Sequence, residues 1–398
     1  MKDLVLGFHY HVPALRKAEG VWTPAFQGRF LDSLALHCRE LVCFLHDQPG
    51  SDEMGMMDYR LQGSNIKLVG LGPHDSVPMR LFRANKVIKQ ARQGSGHLDA
   101  ILLRGPSPLL PEFASMYSST PLVLLLVGDL SKGIGDLPQP LFKKAVIAAW
   151  VHWNKWEQNR LISKSLTFVN SRPLYRELES KSRNIFEIST TLLSEEDFRY
   201  REDTCQKSEI RLLYTGRMSR SKGLMEALDA VSILRKEGKN IYFDLVGPQE
   251  KGDSFVRDLE RNVTEKGLRE AVFYHGYQPL GPTLFSFYQR ADIFLMPSQT
   301  SEGFPRALWE AMAQGLPVAA SRVGAVPDVL EDGKNAVLIK PKSPEAIVFA
   351  VQRILGDGSF RKGLILNGFE LARRFTCENQ TALMTLKITE WLKENRSL

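Results

Sequence analysis

The sequence predicts an α/β chain built as two doubly wound domains with parallel sheets. Three observations carry that expectation. With 398 residues the chain exceeds one ordinary core, and two domains of about 150–200 residues are expected. Short continuous apolar runs alternate with stretches of helical periodicity, the pattern of strands covered on both faces. That alternation fades over residues 184–208, where charge dominates, and restarts at Ile210.

In the first half a strand at 2–8 leads into a loop bearing His9, His11 and Gly20. A helix around 23–39 and a strand at 40–45 follow, then strands at 66–69, 100–103, 122–127 and 166–171. The second half opens with a strand at 210–216. Its helix repeats Leu224, Ala227, Leu228, Val231 and Leu234 at the spacing of a core face. Strands at 242–247, 272–276, 293–297, 317–321 and 337–339 complete it, with Glu310 on the helix between the fourth and fifth of the half's six strands.

Composition narrows the function classes. Apolar and charged fractions of 43% and 24% are those of a globular protein. The four cysteines form no C-x-x-C pair, which argues against a zinc site and for a reducing compartment. The N-terminus reads as a first strand and not as a signal peptide, and no apolar run approaches the roughly 20 residues of a membrane span. A cytoplasmic location, with attachment to a membrane surface at most, is expected.

The net charge of +7 is unevenly placed: residues 140–183 carry nine Lys or Arg against three Glu, interleaved with Trp150, Trp153 and Trp156. That segment suits a solvated helix whose tryptophans face the core, an anionic membrane surface, or nucleic acid, in falling order for the residues alone. A second basic series, Arg80, Arg83, Lys86, Lys89 and Arg92, drifts around its helix as a wrapped stripe.

Glu302 and Glu310 bracket a loop-to-helix junction, with Pro305 suited to the first helical position and Gly315 and Pro317 ending the helix. Unpaired N–H groups and the positive dipole end lie between the two carboxylates, ready for anionic oxygens. Alone, that spacing is also common in solvated helix starts. Arg217 and Lys222, flanking a turn after the 210–216 strand, could pair with a diphosphate or be ordinary surface charge. Gly216, Gly247 and Gly276-Tyr277 end strands where small residues admit a ligand to the backbone. His9-x-His11 lacks a third ligand, so no metal is expected.

The order Thr215-Gly216-Arg217, Lys222-Gly223, Val246-Gly247, Glu302-Gly303-Phe304-Pro305, Glu310-Ala311-Met312-Ala313 and Gly315-Leu316-Pro317-Val318 resembles the family-4 retaining glycosyltransferases of the GT-B fold, over about residues 205–345. The resemblance implies two Rossmann-like domains facing across a deep cleft. Residues 1–190 would bind acceptor, 191–208 would link, and 209–377 would bind a nucleotide-diphosphate sugar, UDP- or GDP-linked. A helix from about 378 to 398 would pack back on the first domain.

Carried over, Arg217 and Lys222 hold the diphosphate and neutralise the leaving group without metal or cofactor. Glu302 contacts sugar hydroxyls, the backbone of Gly303, Phe304 and Pro305 lines the sugar and phosphate, and Glu310 takes the ribose hydroxyls. Gly216 belongs to the same donor site, and the pockets after Gly247 and around Tyr277 read the base.

The first half departs from the family. Glu19-Gly20-Val21 stands where a Gly-Gly loop is usual, and Gly128-Asp129 stands where many members carry a histidine. Asp129 could take over that histidine's hydroxyl contact, or His9 or His11 could reach the acceptor side. The expected activity is retaining transfer of a hexose-type sugar to a glycan or lipid-linked hydroxyl, in cell-envelope or exopolysaccharide assembly. A nucleotide-sugar-binding sensor without turnover is the alternative. No nucleic-acid partner is expected. A nicotinamide oxidoreductase is disfavoured because no G-x-G-x-x-G follows the first strand.

Overall fold

The structure is a computed structural model that describes residues 3–48, 57–128, 141–189, 191–248, 254–300 and 304–396. The chain divides into two units: Met1–Leu192 with Cys377–Leu398, and Leu193–Thr376. Both have the α/β class expected.

In the first unit, strands Val5–His9, Glu40–Asp47, Ile66–Pro73, Ala100–Gly105, Leu122–Leu126, Leu166–Val169 and Ile185–Glu187 form one sheet, parallel at every pairing. The first strand lies between the second and the fourth, so the sheet winds outward from it in both directions. Strands of Leu, Val, Ile and Phe bury both faces, because helices cover each side of a parallel sheet. On one side the helix Cys377–Arg396 contributes Met384, Ile388 and Leu392 to the core holding Phe8 and Leu31. Thr381 and Ser33 hydroxyls meet at 2.7 Å, and the Ser189 N–H donates to Gln380 Oε1 at 2.7 Å.

Several local expectations change. Gly20 opens the strand Gly20–Thr23 of a small antiparallel sheet with Leu15–Lys17 and Tyr59–Arg60, which periodicity did not reveal. The first helix is shorter than expected, Ala25–Ala35. On the helix Leu141–Ile162, Trp153 and Trp156 are 45% and 56% exposed, so these two tryptophans do not face the core. Among the described residues no helix is long and apolar enough to cross a membrane.

The expected linker, 191–208, behaves differently on its two sides of Leu193. From there onward it is pinned to the second unit, with Leu193 itself in that unit's core. The Arg201 guanidinium donates to the carbonyls of Gln289 and Ala291, both at 2.8 Å, and Asp203 pairs with Arg361 at 2.6 Å. The charge of this stretch is committed to part-buried carbonyl bonds and a shielded ion pair.

The second unit's sheet runs Val272–Tyr274, Ile241–Val246, Ile210–Thr215, Ile293–Met296, Val318–Ser321 and Val337–Ile339, all parallel. Its helix Leu224–Lys236 buries the full apolar stripe from Leu224 to Leu234 that the spacing marks out. In chain order the strands sit 3-2-1-4-5-6, so winding reverses between Ile210–Thr215 and Ile293–Met296. The crevice beyond the carboxyl ends of those two strands is where doubly wound sheets take ligands.

Candidate functional site

Three segments converge on that crevice in the second unit. The first is the end of Ile210–Thr215 and the turn after it. Gly223 has φ +68, and a Cβ there would lie 2.0 Å from the Pro297 carbonyl oxygen. The turn bearing Lys222 therefore sits directly on the end of the neighbouring strand, and the Gln299 N–H donates to the Ser221 carbonyl at 2.8 Å to hold it. Gly247, φ +147, crowds the Gly216 oxygen, which a Cβ would approach to 1.9 Å. Only glycine permits either approach. Arg217 is exposed and Lys222 half-buried on this rim.

The second segment is the helix Arg306–Ala313. Pro305 precedes it at the N-cap, φ −68 and ψ 128, instead of filling its first position, and no side chain caps it. Phe304 packs on Trp309 at 4.3 Å between ring centroids, and Trp309 stacks on Phe375 at 4.5 Å. These contacts fix the approach of the chain to the helix.

The third is the helix Pro282–Arg290, which supplies a residue that sequence reasoning missed. The buried Tyr288 hydroxyl donates to Glu310 Oε2 at 2.7 Å and accepts from the Thr215 hydroxyl at 2.6 Å. Burial, with the Glu310 carboxylate beside it, pushes the Tyr288 phenol well above its ordinary range, so it stays a donor. A hydroxyl relay thus runs from the end of the first strand to Glu310. One signal was available: a tyrosine on an otherwise apolar helix face needs a partner for its hydroxyl.

Tyr277 is exposed beyond the strand Val272–Tyr274. Asp129, Glu302 and Gly303 lie outside the described residues. In the first unit, His9 is fully buried at the end of its strand. Its Nδ1 donates to the Phe44 carbonyl at 2.9 Å, Nε2 meets the Ser107 hydroxyl at 3.3 Å, and the ring stacks on Phe113 at 4.1 Å. Burial lowers its pKa to about 3, so it is a neutral packed ring. His11 is partly exposed; burial first, then Arg80, lowers it to about 4. Among the described residues no group of three His, Cys, Asp or Glu side chains could hold a metal ion.

Fold and crevice together define a two-unit doubly wound protein whose second unit has a strand-end site lined by cations, glycines and an oriented carboxylate. The comparisons with known proteins sharpen that class. Residues 197–371 match the family of glycosyl transferases group 1, so the second unit carries a domain of that family.

An uncharacterized glycosyltransferase of Methanocaldococcus jannaschii is 30% identical over 187 residues, 46% of this chain and 46% of that protein. The D-inositol 3-phosphate glycosyltransferase of Corynebacterium urealyticum is 31% identical over 170 residues, 42% of this chain and 39% of its own. The chain thus spans less than half the length of these curated relatives.

Solved structures extend the likeness to both units. The sucrose-phosphate synthase of Thermosynechococcus elongatus has a TM-score of 0.72 at 17% identity, over 98% of this chain and 100% of that one. Anabaena HepE, crystallised with UDP and glucose, has 0.68 at 19%, over 96% and 99%. At such identities the likeness is one of fold, the GT-B type.

Proposed function

We propose that the chain is a glycosyltransferase that moves a sugar from a UDP- or GDP-linked donor to a hydroxyl of a glycan or lipid-linked acceptor in polysaccharide assembly. The observation that carries this reading is the convergence of Arg217, Lys222 and the Tyr288-steered Glu310 on the switch point of the second sheet. In this reading Glu310 accepts the ribose hydroxyls. Arg217 and Lys222 meet the diphosphate, supplying the positive charge its departure requires without a resident metal or cofactor. The C1–O bond to phosphate breaks, the acceptor oxygen bonds C1 on the same face, and the acceptor proton leaves on the departing phosphate oxygen. The sugar keeps its anomeric configuration. Glu302 keeps the sugar-hydroxyl role that the family resemblance implies, and Asp129 takes over a sugar hydroxyl in place of the histidine that many members carry.

A panel of UDP- and GDP-sugars with glycan and lipid-linked acceptors tests the reading through nucleoside diphosphate release and the product's anomeric configuration. Release with at least one donor and a retained anomer are expected. Tight donor binding without release across the panel would replace transfer by the sensor reading, and an inverted product would overturn retention.

Peripheral attachment to an anionic membrane on the cytoplasmic side belongs to the same proposal. Phe82 is 87% exposed on the helix Val77–Ser95 among Arg83, Lys86 and Lys89, and Trp153 and Trp156 are exposed on Leu141–Ile162. Both helices pack against Leu110–Met116. Exposed aromatic rings among cations suit a headgroup layer. Flotation with anionic liposomes at low salt is the test, and a protein left at the bottom of the gradient rejects attachment.

A further inference from the structure

A second polar cluster lies in the first unit, outside the donor site. It gathers at the carboxyl ends of the first three strands: His11 follows Val5–His9, His46 lies near the end of Glu40–Asp47, and His74 follows Ile66–Pro73. Arg80 enters from the first turn of the next helix, Val77–Ser95, and is only 7% exposed. The His46 and His74 rings stand 5.9 Å apart.

The cluster is not closed upon itself. Among the described residues, His11 Nδ1, His46 Nε2, His74 Nε2 and Arg80 Nε and Nη1 are buried atoms with no hydrogen-bond partner. Buried polar atoms are nearly always satisfied, and five orphans in one place need an explanation. His46 is 3% exposed, whereas His11 and His74 are partly open and give access. A cation is a poor candidate, because a buried guanidinium sits among the rings. An oxyanion answers the positive charge and the orphaned nitrogens together.

We infer that Arg80, His11, His46 and His74 form an oxyanion site for a phosphate or sulfate group, carried by a larger molecule or free in solution. Proton uptake accompanies binding. His46 Nδ1 donates to the Gly72 carbonyl at 3.3 Å, so in the neutral ring one nitrogen is already committed. The remaining nitrogen becomes a donor only on protonation.

Without an anion, protonation is disfavoured. Burial and then Arg80 hold His46 down to about 4, with His74 lowering it and Asp47 raising it. His74 is lowered by burial and Arg80 while Asp75 raises it. His11 is lowered to about 4 by burial, Arg80, His74 and Arg104. A bound oxyanion counters Arg80 and raises all three, so binding tightens as pH falls. The site is independent of the transfer reaction and can be tested in an inactive chain.

The experiment follows the imidazole 15N resonances of the full chain while inorganic sulfate is added, at about pH 7.5 and about pH 5.5. Sulfate stays a dianion throughout, so any pH effect arises in the protein. Saturable shifts of His11, His46 and His74 are expected, with affinity about tenfold higher at the lower pH, the change produced when the anion lifts one histidine from about 4 back to the ordinary value of about 6.5. Arg80→Met should weaken binding by about tenfold or more.

His74→Gln, at a more open position, provides a second variant and should reduce the pH dependence. Glycerol phosphate added in place of sulfate separates the sources: tighter binding marks a phosphoryl-bearing molecule, equal binding a free ion. Imidazoles that do not move with sulfate, or a folded Arg80→Met chain with unchanged affinity, would overturn the site.

Discussion

Both units wind their sheets outward from the first strand, yet they finish that strand in opposite ways. In the second unit Thr215 gives way to Gly216, and the backbone is pressed so closely against Gly247 that no side chain fits between them. The crevice beyond is left to solvent, cations and one steered carboxylate. In the first unit the corresponding strand ends in His9, whose ring fills the space by stacking on Phe113. Five orphaned polar atoms of that unit cluster farther along, where His11, His46, His74 and Arg80 gather at the first three strand ends. One topology offers the same crevice twice, and the volume of the residues after the first strand decides whether it stays open.

The largest test of this contrast is Lys222→Ala. If the second crevice stabilises a leaving diphosphate, kcat/KM should fall by about two to three powers of ten, with melting temperature little changed. A parallel loss of stability would make Lys222 a structural residue.

Gly223→Ala probes the close packing itself. Its positive φ and the Pro297 oxygen in its way should lower unfolding free energy by about 3 kcal/mol in urea titration. Gly267→Ala, just past the helix Phe255–Glu265, with φ +67 but open space, should cost only about 1 kcal/mol. Equal losses would erase the distinction.

Tyr288→Phe removes the hydroxyl relay. Stability should drop by about 1–2 kcal/mol, and affinity for a nucleoside diphosphate should fall because Glu310 loses its orientation. Unchanged affinity, read by calorimetry, would detach Glu310 from the nucleotide.

The smallest effect per step is a pH slope confined to the first unit. His9 and His46 have folded pKa values of about 3 and about 4, below the ordinary 6.5. Below about 6.5 the unfolded chain binds protons that the folded one refuses, so stability is full above that pH and falls beneath it. The slope approaches about 1.4 kcal/mol per pH unit for each histidine, down to the folded values. Hydrogen exchange of the Val5–His9 amides between about pH 6.5 and 5 should show it, with Ile210–Thr215 flat and His9→Gln reducing the slope.

Much of the architecture was legible because it rests on local signals. Buried parallel strands read as apolar runs, and Gly216, Gly223 and Gly247 mark where backbones touch. The site was legible only where one segment carries it. Tyr288 reaches Glu310 from a separate helix 22 residues away, and no spacing rule anticipates that pairing. His46 and His74 come together only because their strands are neighbours. Residues 193–208 misled for a related reason: their charges have partners at 289, 291 and 361, too distant in sequence to be seen. The tryptophan-rich helix erred in the other direction, since aromatic content suggested burial that Trp153 and Trp156 do not have.

The Arg201 clamp has a mechanical consequence. Its guanidinium grips the carbonyl of Gln289, the residue after Tyr288, and crowds the turn at Gly315, where a Cβ would strike the Arg201 backbone at 2.7 Å. The chain entering the second unit is thus fastened one residue from the hydroxyl that steers Glu310. Loosening Arg201 would therefore free the backbone that carries Tyr288 and, through its hydroxyl, the orientation of Glu310.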